Sequence, residues 1–194
     1  MATYKSIAYA QALANPSAMV LLQKQTASSS ATISFTSGID STYKEYIFIF
    51  INIHPETNDT EWSFQGSTDS GSNYGVSITS NSFDAYHNEA GSSGALAYQT
   101  SQDLANSTSF QIFQQDYGND NDQVGCGFLH LFNPSSTTFV KHFLSQSTNY
   151  HHSDYAIHCN RAGYFNTTSA IDAIQFKFNS GDIDAGTIKL YGVN

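Results

Sequence analysis

The residues of this chain best able to bind a metal are its histidines and one loop rich in carboxylates. A zinc site needs three or four ligands that meet at one point, and the candidates are His142, His151, His152 and His158. Because neighbouring residues of a strand point to opposite faces, His151 and His152 are expected to diverge. The loop Asp116–Asp122, DYGNDND, offers the oxygen ligands that Ca²⁺ prefers, but it lacks the spacing and the final Glu of an EF-hand. We predict no bound metal and no cofactor, with Ca²⁺ at this loop left open.

Motifs of known catalytic chemistry are absent from the sequence. It contains no GxSxG nucleophile turn, no Gly-rich phosphate loop and no HExxH. A glycosidase needs two carboxylates that flank the scissile bond, and the few Glu residues are predicted beside strand ends or turns, in solvent: Glu45, Glu56, Glu61 and Glu89. We therefore predict no catalytic residues and no enzyme, and a polysaccharide hydrolase is kept as a minor alternative.

Cys126 and Cys159 are the only cysteines, and they lack the CxxC spacing of zinc or redox sites. Free cysteines tend to be buried, so we expect two free, partly buried thiols. A single disulfide bridge between them is the alternative.

The sharpest local motif is the segment 67–74, STDSGSNY. Its spacing resembles the Asp-box, a turn that caps β-hairpins in sialidases and in unrelated proteins and that carries no catalysis. We expect the Asp69 carboxylate to accept backbone N–H groups and Gly71 to adopt a positive φ, so both residues are predicted to be structural residues of a hairpin turn. A single copy of the motif excludes a sialidase propeller.

Apolar and polar residues alternate with a period of two from about residue 19 onward, which is typical of half-buried strands. The predicted strands are centred on residues 33–35, 45–54, 62–66, 74–78, 110–112, 128–132, 139–144, 155–157, 174–178 and 188–190. The stretches 88–106 and 116–123 are predicted loops. The predicted fold is all-β, a single antiparallel β-sandwich of jelly-roll-like type at 19–194. An N-terminal arm at 1–18, helical or extended, is expected to dock on this fold or on a neighbouring copy.

The strand 45–54 is unusual because both of its faces are apolar. Tyr46, Phe48 and Phe50 lie on one face, and Ile47, Ile49 and Ile51 lie on the other. An antiparallel strand with one wet face should alternate with polar residues. One face is therefore expected in the core and the other at an interface between copies, and a central position under a second layer is the alternative.

Composition and charge exclude several partners. The net charge is −9, and the only basic residues are six Lys and Arg161, so no basic cluster can neutralise nucleic-acid phosphates or an anionic membrane surface. The longest apolar run, 46–51, is far shorter than the roughly 20 residues that span a bilayer. Tyr residues set among Ser, Gly and Asn are typical of binding loops, and four fit this description: Tyr86, Tyr98, Tyr117 and Tyr150.

Several segments together resemble proteins that are widespread in tailed phages of marine and freshwater bacteria. They are TYKEYIF, INIHP, FQGSTDSGSNY, FNPSSTTFVKHF, AGYFNTTSAIDAIQF and SGDIDAGTIKLYGV, and the likeness extends from Gln25 to the C-terminus. Members look like all-β virion or virion-associated proteins, and the resemblance supplies no catalytic residues.

The resemblance implies a virion structural protein, and the composition agrees with it. A coat component is expected to be β-rich, poorly charged, covered with Ser, Thr and Asn, acidic, and provided with an apolar face for its copies. The leading hypothesis is a capsid decoration or a tail or fibre component on the outer surface of the particle. We expect a symmetric homo-oligomer, a trimer, that contacts other virion proteins. The alternative is an adhesin module that binds a host glycan or receptor.

Overall fold

Twelve antiparallel strands make up the part of the chain that the computed structural model describes, residues 18–194. They are β1 (Met19–Ser30), β2 (Ile33–Phe35), β3 (Glu45–Pro55), β4 (Thr60–Ser67), β5 (Ile78–Asn88), β6 (Gly94–Tyr98), β7 (Gln111–Tyr117), β8 (Gly125–Phe132), β9 (Lys141–His151), β10 (Tyr155–Phe165), β11 (Ala173–Phe178) and β12 (Ile183–Val193). The prediction of an all-β, antiparallel domain is confirmed. The predicted arm lies outside the described residues except for Ala18. Within the described range, no helix is long and apolar enough to cross a membrane.

The strands form one continuous sheet that folds back on itself. Its long part has the order β1-β12-β3-β8-β9-β10-β5-β6, and its short part has the order β7-β4-β11-β2. The two parts are joined where Tyr117 of β7 pairs with His151 of β9. The aromatic contacts between the two parts place them on opposite sides of one core.

The ends of the sheet almost meet at a seam between β1 and β2, where side chains replace backbone pairing. The amide Nε2 of Gln23 donates to the carbonyl oxygen of Ser37 at 2.9 Å. The amide of Gln25 donates to the carbonyl oxygen of Ser34 at 2.7 Å. The sheet therefore nearly closes on itself.

Aromatic rings fill the space between the two parts of the sheet. Phe48 and Phe50 of β3 contact Phe176 of β11, with ring centroids 5.2 and 5.1 Å apart. Trp62 of β4 stacks on the same Phe176 ring at 5.9 Å. All four side chains are almost completely buried. Rings of this size contribute strongly to the stability of a core, so this cluster helps to hold the two parts against each other.

A bulge in β3 limits the apolar alternation of this strand. Asn52 has a positive φ of 51°, and the register against β8 shifts between Phe50 and Ile53. Ile53 is therefore completely buried, although the alternation up to Ile51 would place it outside.

Three predictions about local structure are wrong. The strand expected at 74–78 is not formed, and β5 begins only at Ile78. The stretch 88–106, predicted as a loop, contains β6. The motif at 67–74 does not close a hairpin, because β4 pairs with β7 and β11 while β5 pairs with β10 and β6. The turn instead carries the chain from the short part of the sheet to the long part.

Candidate functional site

Strand β3 has one face in the core and one face on the outside of the sheet. Tyr46, Phe48 and Phe50 point inward and are at most 2% exposed. On the outer face exposure rises along the strand, from 9% at Ile47 through half-buried Ile49 to 36% at Ile51. Within residues 18–194 no second layer covers Ile49 and Ile51, so this part of the apolar outer face is available to a partner.

Strands β5, β9 and β10, which lie further along the long part of the sheet, have buried side chains that are largely polar. These inward residues are Ser82, Asp84, Ser145, Ser147, Asn149 and Arg161. The reason for these polar side chains is strand β7. It shares only one backbone pair with β9, so carbonyl groups of β7 on that side need hydrogen-bond donors from side chains. Ser147 donates to the carbonyl oxygen of Phe113 at 3.1 Å, and Asn149 donates to that of Gln115 at 2.8 Å.

Arg161 is the centre of this polar interior. Its Nη1 lies 2.5 Å from Oδ1 of Asp84, and both side chains are inaccessible to solvent. Its Nε donates to the carbonyl oxygen of Ile112 at 3.2 Å, and its Nη2 donates to the side-chain oxygen of Gln102. The only arginine of the chain therefore joins β10, β5, β7 and the loop after β6, and it is not on the surface.

The outer face of β5, β6, β8, β9 and β10 carries no Lys, Arg, Asp or Glu. We call it the uncharged face. Its residues follow from the strand registers and are Thr79, Asn81, Phe83, Ala85, His87, Gly94, Leu96, Tyr98, Cys126, Phe128, His130, Phe132, His142, Leu144, Gln146, Thr148, Tyr150, Ala156, His158, Asn160, Ala162 and Tyr164. Exposed apolar side chains stand among them, with Leu96 72%, Leu144 50% and Phe83 41% exposed. In a chain of net charge −9, this is a large surface without an acidic side chain, a lysine or an arginine.

Two features give the uncharged face shape. A shallow pocket lies between Phe83, Phe128 and Leu144. At the edge of this pocket the Gln146 amide donates to Asn160 at 3.0 Å.

Charged groups lie at the margin of the uncharged face. There Glu45 of β3 meets His130 at 2.5 Å, and Asp103 accepts the hydroxyl of Tyr98 at 2.7 Å. An uncharged centre inside a charged margin is the usual anatomy of a protein interface.

A second groove lies at the end of the uncharged face where β9 turns into β10. Tyr150, Tyr155, His87 and Glu89 line it. The Tyr150 hydroxyl lies 3.2 Å from a carboxylate oxygen of Asp154, and partial desolvation together with this carboxylate and that of Glu89 raises the pKa of Tyr150 to about 12. The groove therefore combines half-buried aromatic rings with hydrogen-bonding groups.

The predicted tyrosine loops are only partly supported. Tyr98 is 54% exposed, and Tyr86 and Tyr150 are half-buried. Tyr117 is 1% exposed because it ends β7 inside the core, so its assignment to a binding loop is wrong.

Histidines and carboxylates meet at the same end of the molecule without forming a metal site. The rings of His151 and His152 stack at 4.1 Å, so the expectation that they diverge is wrong, because His152 already belongs to the turn after β9. His151 lies 3.5 Å from Asp116, and His152 lies 3.3 Å from Asp59. Among residues 18–194, no three His, Cys, Asp or Glu side chains are placed to hold a metal ion.

Glu61 departs from its prediction as a solvated residue. It is the second residue of β4 and is half-buried, and its Oε2 accepts the Asn179 amide at 2.9 Å. Burial, reinforced by the carboxylates of Asp116 and Asp59, raises the pKa of Glu61. The ionised form of Glu61 is therefore unfavourable at this end of the sheet.

The turn at 67–74 is organised by Asp69 and Ser67. The Asp69 carboxylate accepts the hydroxyl of Ser67 at 2.7 Å and both the backbone N–H and the side-chain amide of Asn73, at 2.9 and 2.7 Å. These bonds, that of Ser67 first, lower the pKa of Asp69 to about 2. Gly71 has a φ of 84°. The turn thus has a folding role, although it does not close a hairpin.

Both cysteines are free thiols. Cys159 is fully buried between β9 and β5, and burial raises its pKa far above the usual range. Cys126 is half-buried on the uncharged face, and its thiol lies 3.6 Å from the side-chain oxygen of Asn52.

Comparisons with known proteins give no family. No family model matches the chain, and no curated protein matches it. One solved structure with a detectable likeness is a Bacteroides ovatus protein of unknown function from structural genomics, with 7% sequence identity and a TM-score of 0.29. The likeness covers 54% of this chain and 45% of that one.

Sequence reasoning identified the two-sided strand β3 but missed most of the uncharged face. The sequence signal of this face was present as strand segments without charge, such as GCGFLHLF of β8 and GALAY of β6. Arg161 was counted only as a basic residue, and nothing in its immediate neighbours marks it as buried.

Proposed function

We propose that this chain is a non-enzymatic structural protein of a tailed-phage virion, exposed on the particle as a capsid decoration or a tail or fibre component. It forms a symmetric homo-oligomer, a trimer, and the uncharged face contacts other copies or other virion proteins. The protein is made in the host cytoplasm and resides in the virion.

The observation that carries this proposal is the uncharged face itself. Depletion of formal charge together with exposed Phe, Leu and Tyr distinguishes the centre of an interface from ordinary surface. Monomers rarely expose contiguous apolar patches of this kind without a partner. The outer isoleucines of β3 extend the same surface, and the sequence resemblance supplies the phage setting.

The proposal is tested with a charge placed in the centre of the face. Phe128 is half-buried on the outer side of β8, so Phe128→Lys introduces a charge without disturbing the core. We expect sedimentation velocity to give a trimer for the wild type and a smaller species for Phe128→Lys. Thr26→Lys, on exposed β1, is the matched control and should keep the wild-type state. A wild-type protein that stays monomeric at all concentrations, or a Phe128→Lys variant with unchanged assembly, contradicts the proposal.

The virion setting needs a separate measurement. Mass spectrometry of purified particles of a phage that encodes this chain should detect it in many copies. Electron microscopy with a specific antibody should place it on the outer surface. Absence from purified particles contradicts the virion assignment but not the oligomer.

A second candidate function is glycan binding at the groove beside Tyr150. It is favoured by the aromatic rings and the Glu89 carboxylate that line this groove. Tyr150→Ala should then abolish binding on a glycan array, while Tyr164→Ala, elsewhere on the same face, should not. An array without any binding by the wild type rules this function out.

A further inference from the structure

We infer that the free edge of β6 pairs antiparallel with β6 of a second copy, with Leu96 on a two-fold axis. This inference names one contact between copies and therefore rests on the self-association in the proposed function. It does not depend on the phage setting. The contact joins two copies, and it is distinct from the trimer contact.

The backbone of β6 has one hydrogen-bonded side and one free side. The N–H of Gln99 donates to the carbonyl of Ser82, and the N–H of Asn88 donates to that of Ser93, both at 2.9 Å. Since bonded and non-bonded pairs alternate along an antiparallel ladder, Ala95 and Ala97 face β5. The N–H and C=O groups of Gly94, Leu96 and Tyr98 therefore point away from β5. In the described part of the chain, β6 pairs with no strand other than β5.

The sequence of β6 matches itself in the reverse direction. With Leu96 opposite Leu96 of the second copy, Gly94 lies opposite Tyr98, and every residue with outward backbone groups meets another such residue. Each of these three pairs exchanges two backbone hydrogen bonds. A ring opposite a glycine is a favourable cross-strand arrangement because the ring covers the bare backbone. A shift of one residue along the strand would leave outward groups opposite inward ones.

In the part of the chain that the structure describes, the edge of β6 is also unprotected, unlike the edge of β1. Natural edge strands carry charges or are covered. The edge of β1 carries Lys24 and is occupied by the side-chain bonds of Gln23 and Gln25. Strand β6 is GALAY, without a charge, and its Leu96 and Tyr98 are 72% and 54% exposed.

The size of the contact defines its strength. Five residues on each side, with the adjoining Phe83, fall below the roughly 1,200 Å² of total area that a stable complex buries. The pair should therefore be weak alone and strengthened when other contacts hold the copies together. The two-fold axis is perpendicular to the sheet, so the uncharged faces of both copies lie on the same side and form one continuous surface.

A cysteine at the axis tests this geometry directly. In a hydrogen-bonded antiparallel pair the Cα atoms are about 5.5 Å apart, within the range of a disulfide. Leu96→Cys, in a Cys126→Ser background, should form an intermolecular disulfide under a mild oxidant at micromolar protein concentration. Tyr98→Cys is the matched control on the same strand. Its sulfur atoms would be about four residues, or about 13 Å, apart and should not react.

A backbone variant separates strand pairing from side-chain contact. Proline at 96 removes only an N–H that points to the free edge, so the fold should tolerate it. We expect Leu96→Pro to weaken self-association measured by sedimentation at least tenfold, and Leu96→Thr, which keeps the N–H, to weaken it much less. Circular dichroism should give the same melting curve for both variants.

The outcomes distinguish this inference from the proposed function. Equal cross-linking of Leu96→Cys and Tyr98→Cys, or cross-linking of neither, overturns the β6 contact. If Phe128→Lys dissociates the protein while the Leu96 variants change nothing, the proposed oligomer stands and the β6 contact is wrong. If Leu96→Cys alone cross-links and Phe128→Lys has no effect, the β6 contact stands and the use of the uncharged face is wrong.

Discussion

Removing the Arg161 side chain should destabilise the protein strongly without touching its surface. Arg161→Met keeps the length of the side chain but leaves the Asp84 carboxylate without its guanidinium, at a site where neither side chain is accessible to solvent. Breaking a buried pair by removing one partner costs about 3–5 kcal/mol. For a domain of this size, about 2–4 °C per kcal/mol predicts a fall in the melting temperature of about 6–20 °C.

The measurement is urea unfolding followed by the fluorescence of Trp62, the only tryptophan, which is buried in the core. Much of the loss should come from the unpaired Asp84, so Arg161→Met/Asp84→Leu should recover at least about 1 kcal/mol of it. Full recovery is not expected, because Gln102 and the carbonyl of Ile112 still lose their donor. A loss under about 1 kcal/mol in Arg161→Met, or a double variant no more stable than the single one, refutes this reasoning.

Three further predictions concern β3, Glu61 and Asp69. Phe48→Ala should cost about 3–5 kcal/mol in urea unfolding, whereas Ile49→Ala on the outer face should cost much less, and equal losses would contradict the two-sided assignment. The raised pKa of Glu61 means that its ionisation destabilises the fold. Glu61→Gln should therefore raise the melting temperature at pH 7, and this gain should vanish as the pH falls below the ordinary value of 4.5; a gain that persists at low pH would have another cause. The Asp69 pKa of about 2 means that its stabilisation is complete above 3.8 and is lost as the pH falls towards 2, so the melting temperatures of wild type and Asp69→Asn should converge over that range.

The inward face of a strand could be predicted from the sequence where it is apolar, and could not where it is polar. In β3, Tyr46, Phe48 and Phe50 alternate visibly and are all in the core. In β5 the pattern is inverted, because Phe83 is 41% exposed while Ser82 and Asp84 are completely buried. Periodicity assumes that apolar residues point inward, so it fails where the interior is built to satisfy backbone carbonyls.

Contacts between residues distant in the sequence explain the remaining errors. Asp84 is buried because Arg161, placed diagonally across from it on β10, pairs with it, and the two are 77 residues apart. The same holds for the uncharged face, whose five strands are neighbours in the sheet in the order β8-β9-β10-β5-β6, which is not their order in the sequence. Each strand alone is an ordinary uncharged segment, and only the register reveals that these segments share one surface.

The burial of Arg161 has a counterpart at Lys141, and together they make the exterior more negative than the composition suggests. Lys141 is also inaccessible, with its ammonium group held by the carbonyl oxygens of Phe139 and Thr167 at 2.8 and 3.0 Å. Within residues 18–194, the lysines left to face water are Lys24, Lys44, Lys177 and Lys189. Every carboxylate side chain in this range except that of Asp84 is at least partly exposed. Approaching molecules of this protein therefore repel one another at long range, and under the proposed self-association they attract only at short range. Ionic strength sets the balance between the two forces, because salt shortens the reach of the repulsion to about 10 Å at 0.1 M and leaves apolar contact intact.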